Sequence, residues 1–177
     1  WKVSPIAHLG TSDQTVWHVL VREGTLSSSA DLKGKAIQST APGGGRFVAN
    51  LVLNGALSPS DLTLKGTSKP LKALRNLARG KVDAAIVDQE AVGALAELNL
   101  PVKLTVLTKS APLPGLTLAT IQAGDKAAPP ELVKSLKGAL GQLCKGEGAK
   151  LCKTLGVKGF SPASSGWWKK LSKRYAR

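Results

Sequence analysis

The residues best suited to bind a ligand form a glycine-rich loop followed by an arginine. Within the segment 31–54, Gly43, Gly44 and Gly45 stand between a predicted strand and a predicted helix, where glycine allows an open backbone. Backbone N–H groups at a helix start, together with the helix dipole, attract anions. Arg46 could add two parallel hydrogen bonds to a phosphate, phosphonate or carboxylate. The alternative is a structural turn whose glycines serve tight packing.

Other polar residues also follow predicted strands. Strands and helices alternate between residues 31 and 110, which predicts an α/β segment with a largely parallel sheet. Ligands of such sheets bind at the carboxyl ends of the strands. We therefore expect Thr40, Ser68, Lys69 and Asp88 to lie at one edge with the glycine loop. Lys69 would attract an anion, Ser68 would also cap the next helix, and Asp88 would either hold an ammonium group or cap its own helix.

The two cysteines do not indicate a metal site. Cys144 and Cys152 flank a short turn between two helical patterns, and such a turn can bring two Cα atoms within disulfide reach. A disulfide, which would imply an oxidising compartment, and two buried thiols both remain open. Only His8 and His18 could complete a metal site, so neither a metal nor a cofactor is expected.

Catalysis is the function that the sequence supports least. No pair of carboxylates is identifiable by spacing, and no histidine is predicted beside a serine, cysteine or aspartate on converging loops. His18 falls inside a predicted buried strand. We therefore expect a binding protein rather than an enzyme.

The charge of the chain predicts attraction to anions. The 177 residues include 25 Lys and Arg against 11 Asp and Glu, a formal net charge of +14. The apolar stretches are too short to cross a bilayer. The residues from Trp1 onward do not show a basic region followed by an apolar core, so we expect that a targeting segment was removed or that the chain begins downstream of its natural start.

The segment Trp167–Arg177 is the one concentrated basic run. It predicts an amphipathic helix that could contact an acidic membrane surface or nucleic acid. The alternative, which we favour, is a solvated basic helix with its two tryptophans packed on the first of two lobes. Aromatic residues make up 4% of the chain, too few for a platform that stacks single-stranded bases, and nucleic acid is therefore not an expected partner.

The order of the segments resembles the periplasmic solute-binding proteins of ABC transporters, in the phosphate/phosphonate-type branch. The resemblance extends over roughly residues 10 to 165. The segments that carry it are TVWHVLVRE, SSADLKGKAIQST, LVLNGAL, SKPLKALRNLARGKVDAAIVD, APLPGLTL, PPELVKSLKGALGQL and GAKLCKTLGVKGFSPAS.

This resemblance implies the two-lobed α/β fold of type 2 periplasmic-binding proteins. The lobes of that fold are joined by crossing strands, here expected near Thr15–Arg22 and Leu116–Gln122. Residues 23–115 would form the second lobe. Residues 1–22 and 116–177 would supply the crossing strands and a partial first lobe with C-terminal helices, without the usual N-terminal part of that lobe.

The resemblance also implies non-catalytic capture of a small anion in the periplasm for an ABC permease. Where the family has hydroxyl residues at the helix start, this chain has the three glycines and Arg46, so backbone amides and Arg46 would substitute for them. Lys69 stands where the family often has histidine. The alternative function is a degenerate module that acts through contacts with another protein.

Overall fold

The computed structural model describes residues 2–9, 14–115, 117–122, 124, 128–154, 157, 159–163 and 165–176. These residues belong to two compact units. Unit 1 comprises residues 1–15 and 113–172, and unit 2 comprises residues 16–112 and 173–177. None of the helices in the described ranges combines the length and the apolar character that crossing a membrane requires.

The described residues form ten strands and six α-helices. The strands are β1 (Lys2–Leu9), β2 (Gln14–Thr15), β3 (Trp17–Arg22), β4 (Ala36–Ser39), β5 (Thr63–Gly66), β6 (Ala84–Asp88), β7 (Leu104–Lys109), β8 (Leu113–Pro114), β9 (Thr117–Gln122) and β10 (Phe160–Pro162). The α-helices are α1 (Gly44–Phe47), α2 (Pro70–Ala78), α3 (Gln89–Gly93), α4 (Pro130–Leu143), α5 (Gly148–Thr154) and α6 (Ser165–Tyr175). Short 3₁₀ turns occupy Ser29–Leu32, Pro59–Asp61 and Ala94–Glu97, and α1 continues as a π-helix over Val48–Val52.

Unit 2 is built on a five-stranded sheet in the order β5-β4-β6-β3-β7. Strand β4 is parallel to β5 and to β6, whereas β3 is antiparallel to β6 and to β7. The prediction of a largely parallel sheet is therefore wrong for the half that contains β3. A sheet with two parallel and two antiparallel pairings is mixed.

Strand β3 lies inside the sheet because its sequence is apolar on both faces. Val19, Leu20 and Val21 are at most 1% exposed, which is typical of a strand covered on both sides. Among the described residues, Trp17–Arg22 pairs with β6 and β7 of unit 2. The contact-defined division of the chain falls at residues 15–16 and 112–113.

Helix α2 covers one face of this sheet. Its apolar residues Ala73, Leu74 and Leu77 pack with Leu20 and with Val87 in one buried cluster. The spacing of three and four residues places these side chains on one stripe of the helix. On the opposite face of β3, the ring of Trp17 meets the ring of Phe47 edge to face, with the ring centroids 6.2 Å apart.

Unit 1 contains a three-stranded antiparallel sheet in the order β10-β1-β9. Helix α4 packs on it through Leu140, which is buried with Ile6 and Ala7. Within the same unit β2 pairs with β8. Helix α6 confirms that the basic C-terminal segment is helical. The predicted packing of Trp167 and Trp168 falls on side chains outside the described residues. Leu116, the first residue of the second expected crossing strand, also lies outside them.

Cys144 and Cys152 form a disulfide, so the alternative of two buried thiols is wrong. Their Cα atoms are 5.5 Å apart, and eight positions separate the residues in the sequence. The bond joins the end of α4 to α5, since Cys144 is the residue that ends α4 and Cys152 is buried in α5. It therefore fixes a helical hairpin in unit 1.

Replacing both cysteines with serine should destabilise unit 1. A bond that closes a loop of this size restricts the unfolded chain, and its loss should cost about 2–3 kcal/mol. Urea denaturation of the C144S/C152S variant, compared with the oxidised parent, measures this cost. The parent in reductant should fall to the stability of the variant, while reductant should leave the variant unchanged. Equal stability of the parent and the variant under oxidising conditions would contradict the expectation.

Candidate functional site

The candidate site lies where three strands of unit 2 end side by side. Ser39, the last residue of β4, is paired with Gly66 of β5 and with Ile86 of β6. Because these strands are parallel, their carboxyl ends meet at one edge of the sheet. The segments that follow β4 and β5 begin at this edge and contain Thr40, Ser68 and Lys69, while Asp88 is the last residue of β6. The glycine loop also starts there.

The backbone pairing continues past the strand ends. The N–H of Thr67 donates to the carbonyl of Ser39 over 2.9 Å, and the N–H of Thr40 donates to the carbonyl of Ile86 over 2.9 Å. The hydroxyl of Thr40 donates to the same carbonyl over 3.2 Å. Thr40 therefore fixes the exit of β4, while its hydroxyl oxygen can still accept a hydrogen bond.

The glycine loop requires glycine at position 43. Gly43 has φ = 79° and precedes α1, and this left-handed backbone disfavours other residues. A Cβ at Gly43 would also stand 2.9 Å from the Cβ of Phe47. Gly44 has φ = 63°, but a Cβ there would meet nothing within 4 Å. The loop thus bends sharply while keeping Phe47 close beneath it.

The turn Pro59–Asp61 packs against the glycine loop and α1. Helix α1 contacts β5 and the turn Pro59–Asp61, and a Cβ at Gly45 would lie 3.4 Å from the carbonyl oxygen of Pro59. Asp61 accepts a hydrogen bond from the hydroxyl of Ser58 over 2.7 Å and forms an ion pair with Lys33 over 3.0 Å. The hydrogen bonds from Ser58, followed by Lys33, lower the pKa of Asp61.

Ser68 is not the cap of the helix that follows it. The residue before α2 is Lys69, with an extended backbone at φ = −117° and ψ = 91° and without a capping side-chain bond. Lys69 precedes Pro70, and a residue before proline is driven away from helical angles. The N–H of Lys69 donates to the hydroxyl oxygen of Thr67 over 3.2 Å. Ser68 and Lys69 are both exposed, and so their side chains are accessible to a ligand.

Asp88 has the capping role, one of its two predicted alternatives. Its Oδ1 accepts a hydrogen bond from the N–H of Ala91 over 2.9 Å at the start of α3. This bond satisfies a backbone donor that the first turn of a helix leaves free. Its second carboxylate oxygen is left for a ligand or for water.

The sequence did not indicate that aromatic residues flank this edge. Trp17 pairs with Asp88 in the sheet register and is 9% exposed. The backbone N–H of Trp17 donates to the hydroxyl of Ser110 over 3.0 Å, and Ser110 is itself buried. The apolar sequence around Trp17 predicted a buried strand. It did not predict the antiparallel pairing with β6 that places Trp17 opposite Asp88.

A separate groove lies between β5 and α2. It has a volume of about 460 Å³, and its lining includes Lys65, Lys72 and Lys81 but none of the predicted site residues. The two cysteines belong to unit 1. Among the described residues there is no cluster of three His, Cys, Asp or Glu that could hold a metal ion.

A comparison with protein families identifies the class of the chain. Residues 3–168 match the family described as "ABC transporter, phosphonate, periplasmic substrate-binding protein". The chain belongs to this family. The family places it outside the cytoplasm, as the periplasmic component of an ABC importer, and implies a small-molecule ligand and an ABC permease as partner. No curated protein matches the sequence.

Solved structures show the same fold as this phosphonate-type binding protein. XAC2383 from Xanthomonas citri bound to ATP has 13% identity and a TM-score of 0.68, with 98% of this chain and 70% of that chain covered. An ancestral arginine-binding protein bound to arginine has 18% identity and a TM-score of 0.52, with 84% and 63% covered. The chain spans less than two thirds of the latter protein. These likenesses confirm the type 2 periplasmic-binding fold.

Alanine at position 43 should destabilise unit 2 more than alanine at position 44. Both substitutions place a Cβ on left-handed backbone, at about 1–2 kcal/mol, but Gly43→Ala alone also forces a clash with Phe47. Urea denaturation of the two variants measures the difference, and Gly44→Ala serves as the matched control. Equal losses of stability would show that the contact between the loop and Phe47 does not require glycine.

Alanine at position 88 should remove the cap of α3. We expect Asp88→Ala to lower the free energy of unfolding by about 1 kcal/mol, the usual cost of losing a capping side chain. Asp88→Ser should retain most of the stability, because its hydroxyl can accept the same N–H. The measurement is urea denaturation. A serine variant as unstable as the alanine variant would argue that the charge, rather than the cap, is what matters.

Proposed function

We propose that this protein binds a small anionic solute, a phosphate, a phosphonate or a similar oxyanion, at the carboxyl edge of the sheet of unit 2. The observation that carries the proposal is the pairing of Ser39 with Gly66 and Ile86. In this register the loop Gly43–Arg46, the Ser68-Lys69 pair and the segment after Asp88 all follow strands that end at one edge of the sheet, which supports the proposal. In α/β sheets, this is the edge at which ligands bind.

The electrostatics of the edge support an anion. Arg46 and Lys69 are exposed, and among the described residues no carboxylate pairs with either of them. Within the described ranges, the ion pairs are Lys33–Asp61 and Lys103–Glu23. Two cations therefore remain for a ligand, while the carboxylate of Asp88 is partly engaged by the backbone of α3. Thr40 and Ser68 supply hydroxyl groups in place of the family's run at the helix start.

Proteins with this fold bind two chemical kinds of ligand, anions and a cationic amino acid. XAC2383 is bound to ATP in one structure and to a chloride ion in another, whereas the ancestral arginine-binding protein is bound to arginine. The first pair are anions, and arginine carries a carboxylate beside its cationic groups. The positive residues at the edge favour the anions.

The proposed role is capture without catalysis. A binding protein of this kind holds its solute and passes it to the permease, and the candidate residues include no pair that resembles a nucleophile and its base. The ligand would be held by charge-assisted hydrogen bonds, which are stronger than bonds between neutral groups.

Titration calorimetry with phosphate, methylphosphonate, ATP and arginine tests the proposal. We expect heat of binding with at least one of the anions. Arg46→Ala and Lys69→Ala should each weaken that binding by about 10- to 100-fold, the effect of losing one charged hydrogen bond of roughly 1.5–3 kcal/mol.

Lys81→Ala is the matched control for Lys69→Ala. Lys81 lines the groove between β5 and α2 and precedes β6, so it lies towards the amino end of that strand, away from Asp88. Its loss removes the same charge and should leave affinity nearly unchanged. Binding of arginine alone would contradict the anionic assignment. The absence of binding to all four solutes would favour the module that acts through contacts with another protein.

A further inference from the structure

The last residues of the chain contact the helix that follows the glycine loop. The guanidinium carbon of Arg46 lies 6.0 Å from the centre of the Tyr175 ring. The side-chain amide of Asn50 donates to the backbone carbonyl of Tyr175 over 3.1 Å, and Arg174 donates to the side-chain oxygen of Asn54 over 3.3 Å. Residues 173–177 belong to unit 2 with that helix.

These contacts involve a stripe of three residues spaced four positions apart, Arg46, Asn50 and Asn54. Arg46 lies in α1 and Asn50 in the π-helix that continues it, while Asn54 lies two residues beyond the end of that helix at Val52. Asn54 has a left-handed conformation, with φ = 54°. The end of α6 therefore runs beside the segment that begins at the glycine loop, and it reaches Arg46 at the proposed site.

The contact of Arg46 with Tyr175 does not use the hydrogen-bond donors of the guanidinium. A cation–π contact is an attraction between the positive charge and the face of the ring, and it engages none of the five N–H groups in a conventional hydrogen bond. Within the part of the chain that the structure describes, Arg46 has neither a carboxylate partner nor a side-chain hydrogen bond. An oxyanion can therefore accept from these N–H groups while the ring stabilises the charge.

The ring contact also reduces what binding must order. A free arginine side chain loses much rotamer freedom when it grips a ligand. A side chain already resting on a ring loses less of that freedom, which is the general advantage of preorganisation. Arg174, one residue before the ring, adds positive charge close to this stripe and so favours an anion over a cationic solute.

We propose that Tyr175 is a positioning residue of the anion site, and that the C-terminal segment 174–176 completes that site by holding Arg46 in place. This inference rests on the proposed function and deepens it. The ligand is a small oxyanion, such as phosphate or a phosphonate, that takes two parallel hydrogen bonds from the guanidinium. The C-terminal segment then acts within the protein rather than on a membrane.

Phosphate affinity of the 177-residue chain tests the role of Tyr175. Tyr175→Ala should weaken phosphate binding about two- to fivefold, the effect of one exposed cation–π contact. Tyr175→Phe should bind as the parent does, because it keeps the ring. The alanine variant retains the backbone carbonyl that accepts from Asn50, so its unfolding midpoint should stay near that of the parent. Lys173→Ala, which removes a neighbouring exposed charge, should change affinity less than Tyr175→Ala.

A double-mutant cycle distinguishes positioning from a general effect on the fold. In the Arg46→Ala background, Tyr175→Ala should have no further effect on phosphate affinity, because the residue acts through Arg46. Additive losses would overturn the inference, as would a Tyr175→Phe variant as weak as Tyr175→Ala. Loss of affinity in Arg46→Ala with none in Tyr175→Ala would overturn it while leaving the proposed function intact. No binding of any tested anion by the parent would overturn both.

Discussion

Ser39 is held between Gly66 on one side and Ile86 on the other, and the candidate site depends on this double pairing. Parallel strands end at a common edge only while their register is kept, and a shift of one residue would turn every side chain to the opposite face. Two bonds beyond the strand ends, at Thr67 and Thr40, extend the register into the loops. The loops are therefore positioned by backbone pairing before any of their side chains contributes.

Much of this edge could be predicted from the sequence because its determinants are local. Three glycines before a helix indicate a bend, and the structure has left-handed backbone at Gly43 and Gly44. The strands around them follow from short apolar runs bounded by turns. The sequence left two roles open for Asp88, and the hydrogen bond from the N–H of Ala91 shows the capping role. At Lys69 the following proline overrode the capping preference of Ser68, a local rule that the sequence also contained.

The rest depended on contacts between distant parts of the chain. The apolar character of β3 predicted burial, but it carried no information about the direction of its neighbours, and the sheet proved to be mixed. Trp17 reached the edge through its pairing with β6. Nothing in the basic run at the C-terminus indicated that Tyr175 would meet Arg46, because charge and periodicity describe a helix without naming its partner. The disulfide between Cys144 and Cys152 was open from the sequence, because a turn permits the bond without requiring it.

The position of β3 inside the sheet, between β6 and β7, has a consequence for how this unit folds. The strand is made early, yet both of its neighbours in the sheet, β6 and β7, come much later in the chain. The strand can pair only after residues as distant as Lys109 have approached it. The hydrogen bonds and packing gained then must offset the entropy lost in closing so long a loop. The parallel part, β4 with β5 and β6, closes over shorter separations. Before folding is complete, during synthesis and export, Val19, Leu20 and Val21 would thus form an unpaired and exposed apolar segment. We expect this segment to be prone to aggregation at that stage.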